Sequence, residues 1–259
     1  MIDLHCHILH GLDDGPDSLD ESLAMARRAV EDGVRAIVAT PHTLNGIYIN
    51  RVSEVTSRVT ALQEILSENR IELQIYVGGD VHLCPHMLDR IDSGDAVTIN
   101  DAKKFILLEL PSQSIPEGVM EEVFSLKLNG ITPIITHPER NSIIQHDPDI
   151  MHELVCMGAL GQVTAMSLTG DFGEYTRQSS ETLLKHRLVH VISSDAHSSV
   201  DRPPVLSQAV EQAAEILGDY EEAKRMVTEV PATILSGEMP HFPEPSPIKP
   251  KDRFFSKKH

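Results

Sequence analysis

The chain is poor in cysteine, in basic residues and in long apolar runs, and each shortage excludes a class of protein. The three cysteines form no C-x-x-C pair, which excludes a disulfide-built scaffold and predicts free thiols in a reducing compartment. There are 22 Lys and Arg against 39 Asp and Glu, and the net charge of −17 argues against unaided nucleic-acid binding. No apolar stretch is long enough to span a membrane. We therefore expect a cytoplasmic globular protein.

Short apolar runs alternate with amphipathic helical stretches along most of the chain. The runs cover 2–4, 34–40, 73–77, 105–108, 131–136, 160–164 and 188–194. Ser18 and Glu21 form a capping box that predicts the start of the first helix. Seven strands separated by helices indicate parallel βαβ units. With no convincing linker before residue 237, we expect one α/β domain, a closed or nearly closed β/α barrel.

Histidines and acids stand at or just beyond the ends of these predicted strands. Residues of this kind are His5, His7, His42, Asp80, Glu109, His137, Asp195 and His197, with Asp14 in the turn after the first strand. The carboxyl ends of barrel strands are where active sites are built. Nine imidazole and carboxylate ligands are too many for one ion, and they suit Mn, Fe or Zn. The pattern predicts two or three divalent ions and metal-assisted hydrolysis, in which paired ions hold a phosphoryl group.

Other polar residues near these positions have plainer interpretations. Asp13 is expected to form the turn while Asp14 is a ligand, although the sequence alone could exchange the two. His82 and His86 are assigned to surface loops. Arg140 and Arg202 could be ordinary ion-pair residues, but their places just beyond two of the predicted ligands favour a position facing the metals.

These motifs, in this order, resemble the polymerase-and-histidinol-phosphatase (PHP) superfamily over residues 1–237. They are His5-Cys-His7, Asp13-Asp-Gly-Pro16, Pro41-His42, Gly79-Asp80, Glu109, His137-Pro-Glu-Arg140 and Ser194-Asp-Ala-His197. The Asp-Asp-Gly-Pro turn, the His-x-Glu-Arg segment and Arg202-Pro-Pro204 are similar to those of bacterial PHP-type protein-tyrosine phosphatases. Those enzymes occur with capsule and exopolysaccharide synthesis systems.

The resemblance implies a distorted seven-stranded, TIM-like barrel with three metal ions, often manganese. The implied ligands are His5, His7 and Asp195 for the first ion, Asp80 as a bridge, Glu109 and His137 for the second, and Asp14, His42 and His197 for the third. Arg140 and Arg202 would grip the phosphate, since guanidinium forks match its oxygens. A metal-activated hydroxide would attack phosphorus directly. A metal, or a protonated His42 or His197, would assist the leaving group.

The implied activity is hydrolysis of phosphotyrosine in a protein, with the tail of a tyrosine autokinase of polysaccharide export as the expected partner. Two alternatives stay open at this point: a small-molecule phosphatase acting on a substrate such as histidinol phosphate, and a metal-binding regulator without catalysis. Where the family usually has Glu as the bridging ligand, this chain has Asp80, one methylene shorter.

The composition changes after Gly237. Five prolines and five basic residues lie within residues 238–259, so we predict a separate Pro-rich basic tail without regular structure. A sharper alternative is that Phe254 and Phe255, with the neighbouring lysines, contact a partner or an anionic membrane surface.

Overall fold

The computed structural model describes residues 1–248 and confirms the predicted alternation of strands and helices. The strands are β1 (Ile2–Cys6), β2 (Ala36–Ala39), β3 (His42–Thr43), β4 (Gln74–Val77), β5 (Asp80–His82), β6 (Phe105–Glu109), β7 (Thr132–Thr136), β8 (Leu160–Thr164) and β9 (Val191–Ser193). Seven of them overlap the predicted runs. The two others, β3 and β5, are short strands that follow β2 and β4 almost directly and carry two of the predicted ligands.

The helices lie between the strands and after the last one. They are α1 (Leu19–Glu31), α2 (Val52–Glu68), α3 (Met87–Asp92), α4 (Val119–Leu128), α5 (Ser142–His146), α6 (Asp149–Cys156), α7 (Ala165–Thr169), α8 (Glu174–Lys185), α9 (Ser207–Leu217), α10 (Tyr220–Arg225) and α11 (Glu229–Leu235). Ser18 caps α1 as predicted, since its hydroxyl accepts a hydrogen bond from the Glu21 N–H at 3.3 Å. The Glu21 carboxylate instead accepts from the Ser199 N–H at 2.6 Å, which ties α1 to the loop after β9.

All strand pairs are parallel, but they form two sheets and not the closed seven-stranded barrel that we expected. One sheet has the order β1-β2-β4 and the other the order β3-β5-β6-β7-β8-β9. A single bridge between Cys6 and Ala196 links the ends of β1 and β9. The fold is therefore α/β with parallel sheets that are not closed.

The break between the sheets lies where β2 and β4 end. Pro41 stands between β2 and β3 and has no N–H to donate to a ladder. Gly78 follows β4, and a Cβ atom there would lie 2.4 Å from Val38 Cγ1, so the chain crosses at a separation that only glycine permits. The two chains resume pairing as β3 and β5, with His42 opposite Asp80 in register.

An apolar cluster fills the space below the carboxyl ends of the strands. Its strand residues lie two positions before polar ones, in the pairs Leu107 and Glu109, Ile134 and Thr136, Leu160 and Gln162, and Val191 and Ser193. Residues two apart on a strand share a face, so the polar side chains form a layer directly above the apolar one. The polar side chains at the carboxyl edge are therefore supported from below by the packed apolar core.

The C-terminal segment lies against the body of the fold as far as it is described. Residues 238–248 have no regular secondary structure, yet the Ser246 N–H donates to the His186 carbonyl at 3.0 Å and Ile248 is buried. The rest of the predicted tail, including Phe254 and Phe255, lies outside the described residues, and the boundary at 237 stays a prediction. Within residues 1–248 no helix is both long and apolar enough to cross a membrane.

Candidate metal centre

The first group of predicted ligands lies where β1 meets the end of β9. The Nε2 atoms of His5 and His7 are 3.1 Å apart. Asp195 Oδ1 lies 3.4 Å from each of them, and Asp80 Oδ2 lies 3.6 Å from His5 Nε2. Three strands far apart in sequence thus bring four donor atoms to one point.

The second group surrounds Asp80 on β5. Its Oδ2 atom lies 3.2 Å from His42 Nδ1 and 4.0 Å from His137 Nε2. Glu109, at the end of β6, places Oε1 3.8 Å from His137 Nε2 and Oε2 3.5 Å from His42 Nδ1. Asp80 therefore stands between the first and second groups, in the place predicted for a bridging ligand.

The third group lies nearer the surface and includes His7 as well as the three residues predicted for it. Donor atoms of His7, Asp14, His42 and His197 all lie within 4.8 Å of one another. Asp14 Oδ1 is 3.4 Å from His197 Nε2 and 3.6 Å from His42 Nε2. His42 faces two groups with its two ring nitrogens, a sharing that the sequence did not predict.

Three of the histidines are oriented by an acceptor on the far side of the ring. His5 Nδ1 lies 2.9 Å from Gln162 Oε1, and His7 Nδ1 lies 2.6 Å from Asp13 Oδ2. His197 Nδ1 lies 2.9 Å from the Asp195 carbonyl. Because these acceptors require Nδ1–H donors, Nε2 is the atom of each ring that faces the cluster. This arrangement is typical of metal-binding histidines.

Two buried polar atoms at the centre test whether a cation fits. Among the described residues, His42 Nδ1 and Asp80 Oδ2 have no hydrogen-bond partner, although such atoms are normally satisfied. Burial alone would raise the pKa of Asp80, but His5 and His42 outweigh it and hold that pKa low. Burial, reinforced by Arg140, lowers the pKa of His137 to about 3. Ionised carboxylate and neutral imidazole are the forms that bind divalent metals, so Asp80 and His137 fit the expected ions. Burial would lower the pKa of His7, but Asp13 and Asp195 outweigh it and raise that pKa to about 10, so this ring would release a proton when an ion binds.

Both predicted arginines contact the cluster through Asp195. Arg140 Nη1 and Arg202 Nη2 donate to the same oxygen, Asp195 Oδ2, the latter at 2.7 Å. His137 and Asp195 have φ angles of 36° and 50°, a left-handed conformation that is uncommon outside glycine and concentrates at functional sites. The backbone thus turns sharply at the ends of β7 and β9 and places the guanidinium groups beside the ligands.

Some residues of the site were missed or assigned elsewhere by the sequence. Asp13 does form the turn, accepting from the Gly15 N–H at 2.9 Å, but it also holds His7. His82 is on β5 and not in a surface loop, with Nδ1 3.3 Å from Glu109 Oε2. Gln162 was not singled out. The sequence did contain a signal for Gln162: it is a polar residue inside an apolar strand, two positions after the core residue Leu160, and therefore on the same face of the sheet.

Comparisons with known proteins identify the family to which the chain is similar. The family described as "Capsular polysaccharide synthesis, CpsB/CapC" matches residues 1–236. The putative tyrosine-protein phosphatase CapC of Staphylococcus aureus is 38% identical over 208 residues, 80% of this chain and 81% of that protein. The tyrosine-protein phosphatase YwqE of Bacillus subtilis is 34% identical over 254 residues, 98% of this chain and 99% of that protein.

A solved structure gives the same result for the fold. It comes from crystal structures of YwqE from Bacillus subtilis and CpsB from Streptococcus pneumoniae, described as unique metal-dependent tyrosine phosphatases. The match has a TM-score of 0.91 and 34% identity, and it covers 96% of this chain and 100% of that chain. Since the family match spans nearly all of the described residues and relatives above 30% identity extend over most of the chain, the protein belongs to the CpsB/CapC family of capsular polysaccharide synthesis.

Proposed function

We propose that the chain is a metal-dependent tyrosine-protein phosphatase that hydrolyses phosphotyrosine in a protein substrate. One observation carries the proposal: nine imidazole and carboxylate side chains converge at one edge of the sheets, with two guanidinium groups beside them. The names of CapC and YwqE and the metal dependence attributed to the YwqE and CpsB structures support it.

The chain's own residues supply binding, orientation and charge. The proposed ligands for three ions, with manganese as the expected metal, are His5, His7, Asp14, His42, Asp80, Glu109, His137, Asp195 and His197. Bound divalent ions supply a nucleophile at neutral pH and neutralise phosphoryl oxygens. Arg140 and Arg202 would bind the phosphoryl group through their free N–H donors and orient it for in-line attack.

The leaving group makes a modest demand on the protein. A phenol has a pKa of about 10, so a phenolate leaves readily and needs little proton transfer. The third group of donors would hold an ion that stabilises the leaving oxygen; without that ion, a protonated His42 or His197 would deliver the proton instead. An alkoxide is a much poorer leaving group and would depend on that assistance, so an aryl ester makes the smaller demand on the site.

The partner is proposed from the family. The matching family is named for capsular polysaccharide synthesis. We propose that the substrate is the phosphorylated tail of a tyrosine kinase of polysaccharide export and that the two proteins interact in the cytoplasm. The charge of −17 disfavours nucleic acid as an alternative phosphate-bearing partner.

The test is phosphate release by metal-stripped protein after manganese is added back. Phosphotyrosine peptides and histidinol phosphate should be compared at equal concentration, and we expect manganese-dependent turnover that strongly favours the peptides. Asp80→Asn should lose that turnover, while Asp89→Asn, at an exposed position on α3, should keep it. A preference for histidinol phosphate would move the function to small-molecule metabolism. Stoichiometric metal without turnover would indicate a regulator.

A further inference from the structure

One phenylalanine contacts both arginines of the site. The Phe172 ring centroid lies 5.1 Å from Arg140 Cζ and 5.8 Å from Arg202 Cζ. Both distances are within the range of cation–π attraction. The chain contains only six phenylalanines, and this one lies partly exposed in the loop between α7 and α8.

The loop that carries this ring is built as a fixed turn. Gly170 and Gly173 flank it with φ angles of 93° and 92°, which other residues adopt only with strain. The Gly173 N–H donates to the Gly170 carbonyl at 2.9 Å, and the Asp171 N–H donates to the Met166 carbonyl at 3.0 Å. The ring is therefore presented by a hydrogen-bonded loop whose position does not depend on the arginines alone.

The arginines are otherwise anchored through one residue, Asp195, whose main-chain carbonyl also accepts from Arg202 Nη2 at 2.9 Å. Both donate to Asp195 Oδ2, and the Arg202 Nε atom is buried without a hydrogen-bond partner. A ring packed against both guanidinium groups limits how far they can rotate. It also places an aromatic surface next to the donors that would hold the phosphate.

We propose that Phe172 is the specificity-determining residue of this site: its ring forms the wall against which the aromatic ring of an aryl phosphate lies while the arginines hold the phosphoryl group. The inference rests on the proposed function and names the residue that would select an aryl over an alkyl ester. Offset or edge-to-face ring pairs contribute beyond simple burial, so a phenyl group should bind here better than a methyl group with the same head group.

The experiment measures binding of phenylphosphonate and methylphosphonate to the manganese-loaded protein by titration calorimetry. These probes share the charged group and cannot be hydrolysed, so the ratio of their dissociation constants reports what the phenyl group adds, and the change of that ratio in a variant reports the contact with residue 172. Phe172→Leu keeps an apolar side chain of similar size and should reduce the preference for phenylphosphonate roughly fivefold. Phe172→Tyr keeps the ring and should retain the preference. Phe124→Leu, the same exchange at an exposed position on α4, should change nothing.

The outcomes separate this inference from the proposed function. If Phe172→Leu weakens the binding of both probes equally, the ring only positions the arginines and the inference is overturned. If it weakens the binding of neither probe, the ring only fills space and the inference is again overturned. If Phe172→Tyr behaves like Phe172→Leu while both variants keep the wild-type unfolding midpoint, the inference is also overturned. Wild-type protein that binds phenylphosphonate through Phe172 but releases no phosphate from phosphotyrosine would overturn the proposed function and leave the binding site standing.

Discussion

Asp13 offers the sharpest test of how the site is organised, because its carboxylate orients a proposed ligand without facing the ions. Its Oδ2 atom accepts from His7 Nδ1 at 2.6 Å and from the His42 N–H at 2.9 Å, and Oδ1 accepts from the Gly15 N–H at 2.9 Å. Burial would raise the pKa of Asp13, but His7 outweighs it and lowers that pKa. The group is therefore an anion with three donors directed at two oxygens.

The substitution Asp13→Asn preserves shape and removes one acceptor. An amide has one oxygen, so its NH₂ group must face either the His7 and His42 donors or the Gly15 N–H. Leaving one buried donor unsatisfied should lower the free energy of unfolding by about 1–3 kcal/mol. Loss of the carboxylate that fixes a metal-binding histidine typically weakens metal affinity by roughly 10- to 100-fold, and we expect that range for manganese here.

The assay is competition of the protein with a chromogenic chelator for manganese, together with thermal unfolding of the metal-free protein. Asp17→Asn is the matched control, since it removes the same charge from an exposed position in the same turn. The control should match the wild type in both measurements. Wild-type manganese affinity in a folded Asp13→Asn protein would refute the argument that this carboxylate holds His7 in place.

Three further predictions follow from the same geometry. Arg140→Ala should keep its metals by elemental analysis and lose about 100-fold or more of phosphate-ester turnover. The control variant Arg187→Ala, exposed before the start of β9, should keep wild-type turnover. Normal turnover in Arg140→Ala would remove Arg140 from the site. Chelation should lower the midpoint of thermal unfolding and added manganese should restore it, because ions that bind only the folded chain stabilise it by mass action. An unfolding midpoint that does not change with manganese would contradict the proposed metal site. Burial lowers the pKa of His190 to about 4, so the unfolded chain binds a proton more readily than the folded one and stability should fall as pH drops from about 6.5 toward 4, by up to about 3 kcal/mol. His190→Asn should flatten that decline in denaturant titrations relative to His241→Asn, and parallel curves would show that His190 is not the group responsible.

The sequence predicted the elements and the candidate donors better than it predicted their connections. The apolar runs located seven strands, and the polar residues that follow six of these runs identified the edge at which His137, Asp195 and their partners meet. The division into two sheets was not predicted, because it depends on how closely Gly78 approaches Val38, a contact between two separate runs. Gln162 was missed for the same reason, since its hydrogen bond to His5 joins residues 157 positions apart.

Residue types and their spacing along the chain determined the kind of chemistry. Imidazoles and carboxylates are suited to divalent metals and guanidinium groups to phosphate, and strand ends can be recognised from local patterns. Only the tertiary structure decided which ring nitrogen of His42 faces which group of donors, that Asp13 and Gln162 hold the rings behind the cluster, and that Phe172 contacts both arginines. These arrangements arise from backbone turns and side-chain contacts between distant segments, and local spacing carries no information about them.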